Sequence, residues 1–263
     1  VSWRIGSWRI GSWRKERRAL DEDRLIAVLV QNVALARGLR DPIRDRLVRT
    51  AASLIEAKRW EAVGGLELTD EIRVTVAANA AVPVLALGIG AYRQVSSIVV
   101  SPSITVHDRT RAGPVSGVFS AGPVNTIGLA SPHHGPVLLS WDAVLEQSLH
   151  PERGRNVVVH EFAHKVDSSD GYSDGVPPVR RDDLETWVEI LSDEYERSDT
   201  RPSDEVLGAY AWTSPAEFFA VACEVYFCTP ARLLAAKPKL FRALSEFFRL
   251  DPARADWGMD WGT

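Results

Sequence analysis

Cysteine is scarce in this sequence: Cys223 and Cys228 are the only two in 263 residues. One pair can build neither a disulfide framework nor a four-cysteine zinc site. The apolar stretch around them predicts buried thiols in a reducing compartment. Charge of one sign is missing as well. The 31 Lys and Arg residues nearly balance 35 Asp and Glu, leaving a formal net charge of −4, so no electrostatic argument calls for a nucleic-acid partner. An uninterrupted apolar run of membrane length is also absent. The nearest approach, Val74 to Tyr92, is broken by Asn79, Pro83, Gly88 and Gly90, which predicts a buried helix followed by a strand rather than a transmembrane segment. No secretory signal is read in the first residues, and the expectation is a soluble, cytoplasmic chain. Gly88-x-Gly90 lacks the third glycine of a dinucleotide site, and neither a Walker loop nor a Gly-x-Ser-x-Gly elbow occurs.

What remains is ordinary globular material, 45% hydrophobic and 25% charged. Ser-Trp-Arg-Ile-Gly repeats at the start place Trp3, Trp8 and Trp13 beside Arg4, Arg9 and Arg14. Residues 1–20 are therefore read as a basic, Trp-rich tail, disordered or drawn to an anionic membrane surface. Residues 21–64 form an N-terminal helical region, with Leu25, Val28, Leu29 and Val33 at helical spacing and Asp41-Pro42 restarting a second helix. Strand character follows at Ile98 to Val100, Ser103 to His107, Val115 to Phe119 and Gly135 to Trp141, punctuated by Gly, Pro and Ser. Helices resume from Trp141, interrupted by the polar loop Ser168 to Asp183. Helices, a small sheet, then helices is an α+β order rather than alternating βαβ. The main domain is placed at 65–252, with a C-terminal tail at 253–263.

The chemistry lies in Asn156-Val-Val-Val-His160-Glu161-Phe-Ala-His164-Lys-Val-Asp167. Asn156 suits an N-cap, and Val159, Phe162, Ala163 and Val166 make one apolar stripe. His160, Glu161 and His164 then share the other side. Imidazoles at i and i+4 stand one turn apart and can meet a single metal ion, while Glu161 is placed to take a proton from water rather than to bind metal. This is the HExxH arrangement of zinc peptidases. Composition alone would produce it in roughly one such chain in a hundred.

A catalytic zinc needs a third protein ligand. Asp167 is two turns from His160 on the same face, but its side chain is short, so it reads as a partner behind the ligands or a helix-end residue. No histidine follows His164. The third ligand is then a carboxylate from elsewhere or one of His107, His133, His134 and His150. In Ser214-Pro215-Ala-Glu217 a helix starts, and Glu217 and Glu224, seven apart, fall on one face of otherwise apolar sequence. Two carboxylates there call for something cationic. Ser-x-x-Glu is equally a capping box, with Glu217 bonding only the cap amide; the unpartnered HExxH helix favours ligation.

HEFAHKVD, the later Tyr-x6-Glu-Phe-Phe-Ala and the preceding GPVLLSW together resemble the Mlc titration factor A family of zinc peptidases. The zinc-site segments are also similar to the catalytic domain of anthrax lethal factor. The resemblance covers roughly Gly65 to Pro252. It implies a mainly helical, gluzincin-like zincin fold with a small sheet beside the HExxH helix. It implies one zinc ion bound by His160, His164 and Glu217, Glu161 as catalytic base and Tyr210 in the active site. Tyr210 is read as a donor to the developing oxyanion, or else as a half-buried packing residue. The strand before the helices, with Leu138, Leu139 and Ser140, is read as an edge that pairs with an extended peptide, or else as an interior strand. Glu224 is read with Asp167 as a carboxylate behind the ligands. The expected activity is zinc-dependent peptide hydrolysis on a peptide or protein substrate. The alternative is a regulatory protein that sequesters a transcription repressor, with zinc mainly structural. The loop Ser168 to Asp183 is a cover over the cleft or a solvated connector.

Overall fold

Thr69 opens the helix on which the rest of the chain is assembled: its hydroxyl accepts the Ile72 amide at 3.3 Å, and α3 runs Asp70–Ala81. Every residue of α3 from Val74 to Ala81 is buried. The computed structural model, which describes residues 21–103, 135–196, 204–254 and 257, gives the reason. Helices α1 (Glu22–Asn32), α2 (Asp41–Ala57), α4 (Trp141–Leu149) and α5 (Val157–Asp167) all pack against α3. From Val74 onward the helix has no exposed polar face, as such an enclosed position demands. The apolar run from Val74 is thus the buried helix foreseen, joined to its strand through short 3-10 turns at Val82–Val84 and Ile89–Tyr92.

The sheet is small and wholly parallel among the described residues, in the order β1-β2-β3. β1 is Arg59–Ala62, β2 Val95–Ser101 and β3 Gly135–Ser140. β1 pairs with β2 from Arg59 opposite Ser97 to Ala62 opposite Val100, and β2 with β3 as far as Ser101 opposite Ser140. β1 was not anticipated, because four half-exposed residues straight after a helix carry no strand period. Through it, α3 becomes the crossover of a local βαβ unit, and the boundary expected at residues 64 and 65 falls between two strands that pair. The arrangement remains mainly helical α+β. The strands expected at Ser103 to His107 and Val115 to Phe119 lie, apart from Ser103, outside the described residues, as do the Trp repeat and His133-His134.

The C-terminal half adds α6 (Leu184–Glu196), α7 (Pro215–Cys228), α8 (Pro230–Ala236) and α9 (Pro238–Phe248). α5 and α7 pack closely along their lengths, and an aromatic cluster of Trp187, Phe219 and Phe247 ties α6, α7 and α9 together. Cys223 is buried and Cys228 half-buried, and both thiols are free. Among the described residues, no single helix is long and apolar enough to cross a membrane.

Candidate metal centre

Four side-chain contacts build the start of α5. Asn156 accepts the amides of Val158 and Val159 at 3.2 and 3.1 Å, and Gln147 of α4 accepts that of Val157 at 2.6 Å. The Asn156 amide itself donates to Glu224 at 2.6 Å. The amides that a helix leaves open at its N-terminus are all taken. Val159, Phe162, Ala163 and Val166 pack inward, which turns His160, Glu161 and His164 toward α7.

α7 begins at Ser214, whose hydroxyl accepts the Glu217 amide at 3.2 Å, with Pro215 in the first turn. The cap uses the Glu217 amide alone, and the Glu217 carboxylate presents Oε2 to the two histidines. Oε2 of Glu217 lies 3.1 Å from Nε2 of His160 and 3.4 Å from Nε2 of His164, and the two imidazole nitrogens are 3.2 Å apart. Among the described residues, these three form the group able to hold a metal ion.

The tautomers decide what this triangle wants. Nδ1 of His160 stands 2.7 Å from Oε1 of Glu224, and both side chains are almost fully buried. That carboxylate also accepts the Asn156 amide, so it is an acceptor and His160 donates through Nδ1. The opposite nitrogen then presents its lone pair toward Glu217, whose buried Oε2 lacks a hydrogen-bond donor. Three electron-rich atoms facing one another require something positive between them. Tetrahedral ligands held at about 2.0–2.1 Å from a zinc ion stand about 3.3 Å apart, which matches the spacing here. The donor set, two imidazoles and a carboxylate with a second carboxylate behind one imidazole, suits zinc.

Without a metal, a proton takes that place. Burial alone would lower His160, but the charge of Glu224, hydrogen bonds with Glu217 and Glu224, and the charge of Glu161 outweigh it and raise the imidazole to about 10. Burial would raise Glu217, and the two histidines overcome that to hold its carboxyl well below the usual range. Glu161 is raised chiefly by burial, opposed by His160, His164 and Lys165. It stands beside the ligand group rather than in it.

Tyr210 sits in a 3-10 turn at Ala209–Trp212, entered through Gly208 at φ +76° and held by the Tyr195 hydroxyl donating to the Trp212 carbonyl at 3.2 Å. Its ring lies 6.1 Å from that of His160, tilted by 32°. Burial, then the facing Glu217 carboxylate, pushes its phenol well above the ordinary value, so it keeps its proton.

Asp167 meets the loop rather than the histidines. It accepts the Gly175 amide at 3.1 and 3.2 Å and the Ser173 hydroxyl at 3.4 Å. Burial is the main cause raising it to about 6. Gly175, at φ +79°, presses against the Pro215 carbonyl: a Cβ there would lie 2.2 Å from that oxygen. This part of the Ser168 to Asp183 loop joins the end of α5 to the beginning of α7, a role sequence spacing did not reveal. His150 pairs with Glu152 at 3.1 Å and is not part of the candidate metal group, and His107, His133 and His134 lie outside the described residues. β3 packs on α5 and lies at the sheet edge among the described residues. Leu138 is half-buried, while the side chains of Leu139 and Ser140 are buried.

The sequence did not reveal that Asn79 of α3 accepts a hydrogen bond from the Asn156 side chain, at 2.7 Å. One amide within the eight consecutive buried residues Val74 to Ala81 was the signal available.

The chain matches the family described as "Glucose-regulated metallo-peptidase M90" over residues 9–249, a match reaching further toward the N-terminus than the motifs read above. It is 30% identical over 229 residues to Mlc titration factor A of Yersinia pestis (strain Pestoides F), covering 84% of this chain and 83% of that protein. It is 28% identical over 230 residues to the uncharacterized protein slr2042 of Synechocystis sp., covering 86% and 83% of the two chains. Mlc titration factor A of Yersinia pseudotuberculosis serotype O:3 (strain YPIII) is likewise 30% identical, with 84% and 83% covered.

Proposed function

We propose, from the premise that this chain belongs to the glucose-regulated metallo-peptidase M90 family, that it hydrolyses peptide bonds with one zinc ion held by His160, His164 and Glu217. The observation that carries this reading is the set of three unshared ligand atoms 3.1 to 3.4 Å apart, backed by Glu224 on His160. Zinc bound there would supply a Lewis acid that polarises the scissile carbonyl and lowers the pKa of the attacking water.

The chain's own residues do the rest. Glu161 accepts the water proton and returns it to the leaving amine, and a carboxyl raised by burial is suited to both directions of transfer. Tyr210, which keeps its phenolic proton, donates a hydrogen bond to the oxyanion that develops at the attacked carbonyl. Glu224 orients His160, and Asp167 anchors the loop that seats α7. An extended peptide pairs with β3 through main-chain groups at Leu138, Leu139 and Ser140; the last two side chains are buried and leave the backbone to make the contact. Two free thiols suit a reducing compartment, and we place the protein in the cytoplasm.

The test is cleavage of a diverse peptide mixture by the zinc-loaded protein, read by mass spectrometry beside the Glu161→Gln variant. Products that appear only with the parent support the reading, and their ends distinguish exopeptidase from endopeptidase action. No products from a zinc-loaded parent would overturn it.

Several relatives carry the name Mlc titration factor A, and that name supports a second reading. Here the chain sequesters a transcription repressor and zinc is mainly structural. A Glu161→Gln variant that still binds such a partner would separate the two activities.

A further inference from the structure

A directed chain of buried hydrogen bonds runs from the first helix to the metal ligands. The Ser148 hydroxyl of α4 donates to the Asn32 carbonyl at the end of α1, at 2.6 Å. Its oxygen is thereby left to accept from Nδ2 of Asn79, at 2.8 Å, while the same amide group donates to the Thr75 carbonyl, also at 2.8 Å. Both donations fix which way the Asn79 amide points. Its Oδ1 must face Asn156, whose Nδ2 donates to it at 2.7 Å. Asn156 is thereby fixed too: its Oδ1 turns to the open amides of α5, and its backbone amide turns to Glu224. Glu224 in turn holds Nδ1 of His160. Each donor in the series has one acceptor orientation available, so the sense of the whole chain is determined.

We infer that Asn79 is a positioning residue for the metal site, acting through Asn156 and Glu224 on His160; this rests on the metal reading proposed above. An Asn at a helix cap can rotate its amide and offer NH2 in place of oxygen. Asn79 removes that freedom, because the rotated Asn156 would set a carbonyl against a carbonyl. A residue in α3, with no atom at the metal triangle, thus governs where α5 begins and how the Glu224 carboxylate is shared between a backbone amide and a ligand imidazole.

The test measures zinc affinity by competition with a chelating dye on the full chain, for the parent and three variants. Asn79→Ala removes the link, and Ser148→Ala loosens it one step further out. Val74→Ala, five residues away on another face of α3 and equally buried, removes packing alone. The expected result is a loss of about 10- to 100-fold in zinc affinity for Asn79→Ala, a smaller loss for Ser148→Ala, and parental affinity for Val74→Ala, whose melting temperature serves to match destabilisation. Should Asn79→Ala fail to fold, Ser148→Ala against Val74→Ala decides the matter by the same comparison. Parental affinity in the network variants, or an equal loss in Val74→Ala, overturns the inference while leaving the metal reading intact. A parent that binds no zinc overturns both.

Discussion

The Nδ1 atom of His160 and the Oε1 atom of Glu224 stand 2.7 Å apart, sealed from solvent and 64 residues apart in the chain. A carboxylate in that position selects the imidazole tautomer and makes its other nitrogen a better donor to a cation. The same carboxylate takes the Asn156 amide, so it connects the His160 imidazole to the start of its own helix.

Replacing Glu224 by Gln leaves one carbonyl oxygen for two donors. Zinc affinity is expected to fall about 10- to 100-fold. Folding stability is expected to fall by about 1–3 kcal/mol, because one buried donor loses its acceptor. Chelator competition and thermal unfolding check the two effects separately, and parental zinc affinity would show that Glu224 does not tune His160.

Zinc uptake should release a proton. In the metal-free protein His160 is held at about 10, so at neutral pH a ligand atom entering a metal's shell must first lose its proton. Apparent zinc affinity therefore rises with pH and levels off above about 10. The linkage to folding has the matching sign: the stabilisation from this raised pKa is complete below the unfolded value near 6.5 and is lost as pH climbs through about 10. Titration calorimetry in buffers of different ionisation enthalpy measures the proton directly. A binding enthalpy independent of buffer would contradict it.

Tyr210→Phe removes only a hydroxyl. With the oxyanion role, kcat on a cleaved peptide falls about 100- to 1,000-fold, while zinc affinity and KM stay near parental values. An unchanged kcat would assign Tyr210 to packing.

Gly175→Ala tests the junction between the two ligand helices. The new Cβ would sit 2.2 Å from the Pro215 carbonyl oxygen in a left-handed backbone conformation, a conformation costing roughly 1–2 kcal/mol for a residue with a side chain before the clash is counted. The loop must withdraw from α7, and we expect the melting temperature to fall by at least about 2 °C and zinc to bind more weakly, since Glu217 lies two residues beyond Pro215. Parental melting and zinc binding would show that the contact yields without moving α7.

Much of the site was legible in local sequence, and the reasons are specific. Asn156, the Val159, Phe162, Ala163 and Val166 stripe and the His160, Glu161, His164 spacing all report on one helix, where a period of 3.6 residues decides which side chains share a face. Ser214-Pro215 marked the start of α7 in the same way, and placed Glu217 and Glu224 on one side of it. β1 was not legible, because a strand of four half-exposed residues draws its identity from the partner β2 rather than from its own pattern. The loop from Ser168 gave no sign of its task for a similar reason: a glycine announces a turn, and only the neighbouring Pro215 carbonyl shows what the missing side chain makes room for.

The sequence by itself determined the donor chemistry: two imidazoles one helical turn apart, a carboxylate between them, and two more carboxylates on a second helix. The tertiary structure alone decided that α7 lies against α5 so that Glu217 completes the triangle and Glu224 backs His160. It also decided that Asp167 turns away to a loop and that Asn79 reaches Asn156 from α3. Helical periodicity is set within a few residues by backbone geometry, whereas contacts across 57 to 77 residues depend on how apolar faces pack and on which buried polar groups find partners.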